Sequence, residues 1–239
     1  MRVAVTRPEE DAGPLTAKLE AMGHEVVMAP LLTIKPRDGV AIPDLRWQAI
    51  AVTSANGIRA LPTGHTLTSF RTLTVGPQSL KAARAAGFAA EAHGGDVDGL
   101  AAFVRGALDP GNGPILYLSG AETAGDLEGQ LAAAGFDCHR AVLYDAVPAT
   151  GLGVAEQALQ RGEIDAVLLY SPRTARIWLQ LVREAGLATQ AAHVRNFCLS
   201  QNVASVLPED WAKNTPETPD EQAMLALLAQ TRGSRKVHP

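Results

Sequence analysis

The chain repeats itself, and the repeat constrains the fold more than any other feature. Sliding the 239-residue sequence by 112 positions lays Met1–Pro36 over Gly113–Pro148 without a gap. Glu10, Ala12, Gly13, Leu15, Leu19, Ala21, Gly23, Ala29, Leu31 and Pro36 fall on Glu122, Ala124, Gly125, Leu127, Leu131, Ala133, Gly135, Ala141, Leu143 and Pro148. The next stretch repeats at a slightly larger offset: Thr53-Ser54-Ala55-Asn56-Gly57-Ile58-Arg59 matches Tyr170-Ser171-Pro172-Arg173-Thr174-Ala175-Arg176. A duplicated α/β unit places its ligand where the two copies face each other, so the repeat also says where to look for function.

Short apolar runs alternate with Ala/Leu-rich helical patterns along the whole chain. Strands are expected at Val3–Thr6, Glu25–Ala29, Leu31–Ile34, Ala49–Thr53, Thr72–Val75, Ile115–Leu118, Ala141–Ala146, Ala166–Tyr170 and Asn196–Leu199, with helices between them. Such alternation predicts parallel sheets with right-handed crossovers. Gly23, Gly87, Gly135 and Gly186 follow helical runs, where a left-handed C-cap is expected. Each copy reads β-α-β, passes a proline (Pro36 or Pro148), and continues in further α/β units. The simplest closure is an exchange. Residues 1–35 plus 149–239 form one domain and residues 36–148 the other, joined by two parallel crossing segments, Leu31–Pro36 and Leu143–Pro148. The alternative is two sequential domains cut near residue 112. Thr218-Pro219-Asp220-Glu221 reads as the start of a last helix, and Arg232–Pro239 as a frayed basic tail.

Composition sets limits on partners. An apolar fraction of 46% and a charged fraction of 19% are those of an ordinary globular protein. The net charge of −4 argues against a nucleic-acid surface, though a few local arginines suffice for an anionic small molecule. Cys138 and Cys198 form no CxxC pair, and the six histidines show no metal-ligand spacing, so no metal site is expected. The sequence opens on a strand-like run, Arg2–Thr6, without a charged-then-apolar leader, and has no run of membrane-spanning length. A cytoplasmic protein without membrane contact is the resulting expectation.

Small or hydroxylated residues recur between strand and helix: Thr6-Arg7-Pro8, Thr53-Ser54-Ala55, Gly76-Pro77-Gln78-Ser79, Ser119-Gly120-Ala121, Ser171-Pro172-Arg173 and Ser200-Gln201-Asn202. This edge of an open α/β sheet is where ligands bind, and the helix N-termini there favour phosphates and carboxylates. Read one at a time, the same residues are plain helix caps. Arg7, Arg59, Arg173 and Arg176 sit at or just beyond these ends, able to grip carboxylates. An exposed helix face is the plainer reading of Arg59 and Arg176. Tyr144 falls on a crossover segment from which its hydroxyl reaches the cleft, with a buried structural role as the alternative. Tyr117 and Tyr170 are expected in the core. GxGxxG, GxxxxGK[ST] and GxSxG are all absent.

With those residues in view, the chain resembles the uroporphyrinogen-III synthase family. The resemblance rests on an ordered set of stretches, among them VTRPEEDAGPLTAKLEAMGHEVVMAPLLTI, WQAIAVTSANGIRAL, LTVGPQSLKAARAAGF, AVLYDAVP, DAVLLYSPRTARIWL and FCLSQNVASVL. It implies two similar flavodoxin-like α/β domains with exchanged N-terminal segments, joined by a two-stranded linker. It implies cyclisation of hydroxymethylbilane with inversion of ring D, releasing water, without a metal or organic cofactor. Residue by residue it implies Tyr144 as the catalytic acid. Arg7, Thr53, Ser54, Gly76, Ser79, Ser119, Gly120, Ser171, Arg173, Arg176 and Ser200 are the candidate substrate-binding residues. One departure is visible: the last strand–helix turn reads Ser200-Gln201-Asn202-Val203, where the family has a hydroxyl at the position of Val203. The partners expected are a polycarboxylate tetrapyrrole and, transiently, porphobilinogen deaminase, with the enzyme itself a monomer. The rival reading is a non-catalytic two-domain module that binds an anionic metabolite and closes on it.

Overall fold

The computed structural model describes residues 1–231; the expected basic tail, Arg232–Pro239, lies outside the described residues. The elements run β1 (Arg2–Val5), α1 (Glu9–Ala21), β2 (Glu25–Met28), β3 (Leu32–Pro36), β4 (Ala49–Val52), α2 (Ala55–Arg59), β5 (Thr72–Thr74), α3 (Pro77–Ala85), β6 (Ala90–Ala92), α4 (Val97–Ala107) and β7 (Ile115–Gly120). They continue as α5 (Leu127–Ala133), β8 (Cys138–Pro148), α6 (Val154–Gln160), β9 (Ala166–Leu169), α7 (Pro172–Glu184), α8 (Ala188–Ala192), β10 (Arg195–Cys198), α9 (Gln201–Ala204), β11 (Lys213–Asn214) and α10 (Glu221–Gln230). Gly23, Gly87, Gly135 and Gly186 all take positive φ just past their helices, as the left-handed cap requires.

The chain divides into two units, Met1–Thr33 with Val147–Pro239, and Ile34–Ala146. The division falls inside β3 and β8, two residues before the prolines expected to mark it.

The first unit's sheet has the order β2-β1-β9-β10-β11, all parallel where paired. Its strands are apolar on both faces, so both need cover. Ala4, Val167 and Leu169 face α6, α7, α8 and α9, while Val3, Val5, Ala166 and Leu168 face α1 and α10.

The second unit's sheet runs β3-β8-β7-β4-β5-β6. Ile50, Val52, Leu116 and Leu118 pack with α2 and α3, and Ala49, Ala51, Ile115 and Tyr117 with α4 and α5. Gly57 lets α2 lie close on β7, since a Cβ there would stand 2.9 Å from the Leu118 carbonyl oxygen.

Without β3, both sheets follow one plan. If the repeat's strands are numbered one to five, each sheet has the order 2-1-3-4-5 of the flavodoxin-like fold. Strands one and two of the first unit are β1 and β2, and three to five are β9, β10 and β11. In the second unit β7 and β8 take the first two places, and β4, β5 and β6 the rest. Each copy therefore lends its first two strands to the other copy's last three.

The crossing segments differ from expectation. They pair antiparallel, not parallel: Arg37 N–H donates to the Leu143 carbonyl and Ala149 N–H to the Leu31 carbonyl, so one index rises as the other falls. The chain passes out along β3 and back along β8, which fixes opposite directions. Arg37 and Asp145 close a two-pronged pair across these strands, at 2.8 and 2.7 Å.

Candidate functional site

The sequence-predicted residues fall at the C-terminal edges of the two sheets. In the first unit, neighbouring strands β1, β9 and β10 bring Arg7, Ser171 and Ser200 into one row. In the second, β8, β7, β4 and β5 do the same for Tyr144, Ser119 with Gly120, Thr53 with Ser54, and Gly76. Strand order reverses between β1 and β9, and between β7 and β4, and ligands of such sheets sit at that reversal.

At the first reversal the Arg7 guanidinium lies 3.8 Å over the Tyr170 ring, and its Nη1 forms an ion pair with Glu221 Oε2 at 2.8 Å. Glu221 opens α10 and also accepts a 2.6 Å hydrogen bond from Lys18 Nζ. Arg7 is thus held by partners within its own unit. Tyr170 is not the plain core residue expected. It lies just past β9, partly buried against the core with its ring beneath the arginine, and its buried hydroxyl makes no hydrogen bond among the described residues. Burial pushes that phenol well above its ordinary range.

Ser171 caps α7 in a reciprocal box: its hydroxyl accepts from Thr174 N–H, and Thr174 Oγ1 accepts from Ser171 N–H, both at 3.1 Å. Arg173 is half-buried at the start of that helix, and Arg176 and Arg59 are exposed. Arg59 Nη1 donates to Asn56 Oδ1 at 2.8 Å. Ser200 is the N-cap of α9 without a side-chain hydrogen bond, and Val203, standing where Thr174 stands in α7, has no hydroxyl to make the reciprocal one. Val203 is 1% exposed and belongs to the apolar core.

At the second reversal Thr53 Oγ1 and the Tyr117 hydroxyl meet at 3.0 Å. Tyr117 is fully buried, which raises its phenol. Ser54 caps α2 by accepting from Asn56 N–H. Gly76 is the N-cap of α3, with Pro77 following, and Ser79 is buried behind it. Tyr144 is 7% exposed, and its ring lies against Gly120.

The sequence reading missed Arg140. Its Nε donates to Ser119 Oγ at 2.9 Å, and its Nη2 donates to the Gly120 and Ala121 carbonyls at 2.8 and 2.9 Å. No motif marks it; only the pairing of β7 with β8 brings it there. Among the described residues no three His, Cys, Asp or Glu side chains gather as a metal would need, and no helix is long and apolar enough to cross a membrane.

These edges offer amide N–H groups, hydroxyls, guanidinium groups and the phenols of Tyr117, Tyr144 and Tyr170. That set can bind carboxylates and deliver a proton. The family model described as uroporphyrinogen-III synthase HemD matches residues 13–226. A relative named uroporphyrinogen-III synthase, from Chlorobaculum parvum, is 24% identical over 200 residues, spanning 75% of this chain and 78% of that protein. Two solved structures share the fold. The uroporphyrinogen-III synthetase of Helicobacter pylori 26695 gives a TM-score of 0.66 at 16% identity, covering 97% of this chain and 100% of that one. A mutant uroporphyrinogen III synthase of Thermus thermophilus gives 0.56 at 20% identity, covering 97% and 99%.

Proposed function

The chain belongs to the uroporphyrinogen-III synthase family, and from that premise we propose that it cyclises hydroxymethylbilane to uroporphyrinogen III with inversion of ring D. The family match across residues 13–226 carries this reading. The strand-end chemistry supports it, because the substrate is a linear tetrapyrrole with eight carboxylates.

The reaction needs little covalent work from the protein. Protonation of the departing hydroxyl by Tyr144 breaks the C–O bond, releases water and leaves a cationic azafulvene. The substituted carbon of ring D attacks it to give a spiro intermediate, which fragments and recloses with ring D reversed. The proton then lost from the newly joined pyrrole carbon returns to the Tyr144 phenolate. The bilane also closes unaided to the uninverted isomer, so the enzyme's task is to hold the reacting ends in the productive geometry. In this reading Arg7, Arg173, Arg176, Thr53, Ser54, Gly76, Ser79, Ser119, Gly120, Ser171 and Ser200 hold carboxylates, each unit contributing its own strand-end edge. For Arg7 this requires substrate to compete with Glu221 for the guanidinium.

Because water leaves, the enzyme is classed here as a lyase. It is read as a cytoplasmic monomer that receives an unstable substrate from porphobilinogen deaminase. The test is isomer analysis: the deaminase supplies hydroxymethylbilane with and without this protein, and the oxidised porphyrins are separated. Predominantly isomer III is expected. Isomer I alone from folded protein would contradict the proposal and favour the non-catalytic anion binder.

A further inference from the structure

β8 does not pair evenly with β7. Val142 stands opposite Ser119 and Tyr144 opposite Gly120, so Leu143 is an extra residue on β8. Such a bulge locally disrupts the ladder and re-aims the side chain beside it. Leu143 itself is wholly buried in the core, and Tyr144 comes level with Gly120. The contact is close: a Cβ on Gly120 would lie 2.6 Å from both Cε2 and Cζ of the Tyr144 ring and 3.1 Å from its hydroxyl. The tyrosine's position therefore depends on where the Ser119–Ala121 backbone is held.

Two connections hold that backbone, both from β8. Ala121 N–H donates to the Tyr144 carbonyl at 2.9 Å. Arg140, four residues before Tyr144, reaches Ser119, Gly120 and Ala121 in turn with Nε and Nη2. A planar guanidinium ties three consecutive residues in one fixed fork, whereas the donors of an ammonium turn on a flexible stem and hold no such geometry. Its three hydrogen bonds go to neutral oxygens, and no carboxylate pairs with it among the described residues.

We propose that Arg140 is the positioning residue for Tyr144: it clamps the Ser119–Ala121 segment against which the tyrosine ring is seated beside the β8 bulge. This deepens the proposed function and rests on Tyr144 delivering the proton. Arg140 acts through the tyrosine: three of its five N–H donors, those of Nε and Nη2, are spent on the Ser119–Ala121 segment, and the cycle below separates this from a substrate contact through Nη1.

The test is a double-mutant cycle in the full chain, with hydroxymethylbilane generated in situ. The variants are Arg140→Met, Arg140→Lys, Tyr144→Phe and the two doubles. Arg140→Met is expected to lower kcat about tenfold with KM little changed, as misplacement of a reacting group does. In the Tyr144→Phe background the same substitution is expected to cost less than about twofold, the signature of two residues acting as one. Arg140→Lys, which keeps the charge and is the milder change should the methionine variant not fold, is expected to show the same coupling without restoring kcat.

Equal losses in both backgrounds would show a general structural role and overturn the inference. A raised KM at unchanged kcat would make Arg140 a substrate ligand instead. Wild-type kcat in Tyr144→Phe would remove both the tyrosine's role and this one, leaving the synthase reading standing. Failure of the synthase reading itself shows earlier, as isomer I from the unmodified chain.

Discussion

Pro30 and Val142 occupy the same place in the two copies, and they account for a difference the alignment alone hides. Pro30 has no N–H to donate to a ladder, and β2 stops at Met28. Val142 lets β8 run on to Pro148, so one strand serves as both sheet member and connector. Continuity creates the bulge that brings Tyr144 level with Gly120. Adding a methyl at that glycine tests the contact. Gly120→Ala is expected to cost about 1–3 kcal/mol of stability, as overpacking does, and to lower kcat by displacing the ring; urea unfolding and turnover measure the two. Val203 was legible as a departure but not as a position. The structure makes it the N3 residue of α9, facing the core, so its hydroxyl-bearing counterpart reads as a capping partner like Thr174. Val203→Thr is expected to change stability by about 1 kcal/mol or less, the buried hydroxyl being offset by a bond to Ser200, and to leave kcat/KM unchanged. Arg7 was legible as a strand-end arginine. Its partner Glu221 was not, since only tertiary packing brings α10 beside β1.

Among elements, strongly apolar strands buried on both faces were readable from their runs, and β6 and β11 were not. These two close the open edges of their sheets with three and two residues, too short for any period to register. α8, a single Ala-rich turn and a half, escaped for the same reason. At the β6 edge charge does part of the work of pairing. Arg71 Nε donates to Glu91 Oε1 at 2.6 Å, and His93 lies 3.0 Å from Oε2. Arg71 first, then His93, holds the Glu91 carboxyl below its usual range. A carboxyl depressed in the folded state contributes stability that is present above its unfolded pKa, about 4.3, and is lost as pH falls through the lower folded value. Stability is therefore expected to decline from about pH 5 downward, and Glu91→Gln to flatten part of that decline in acid denaturation followed by circular dichroism. Because the pair is well exposed, the effect is small.

At the scale of the molecule, the repeat made the exchange readable, because two copies that each begin β-α-β and then cross a proline have few ways to close. The antiparallel course of the crossing strands follows from the same exchange, since the chain must leave by one and return by the other, and the parallel expectation overlooked that. The exchange also separates the units in autonomy. Residues 34–146 contain both apolar clusters of their own sheet, from Trp47 to Tyr144, in one continuous stretch. That fragment expressed alone is expected to fold cooperatively in thermal unfolding; a non-cooperative profile would show that its sheet depends on the rest of the chain.

The same exchange sets a timetable for the ribosome. Val3 of β1 must wait for Ala166 of β9, a gap of 163 residues that takes on the order of ten to thirty seconds to synthesise. The middle of the chain emerges complete within that interval. The first β-α-β emerges earlier still but without its partners, and Ala12, Leu15 and Leu19 of α1 have no Met224 or Leu228 to cover them until α10 leaves the tunnel. In the nascent protein β1, α1 and β2 are thus the elements that stay longest without their native cover.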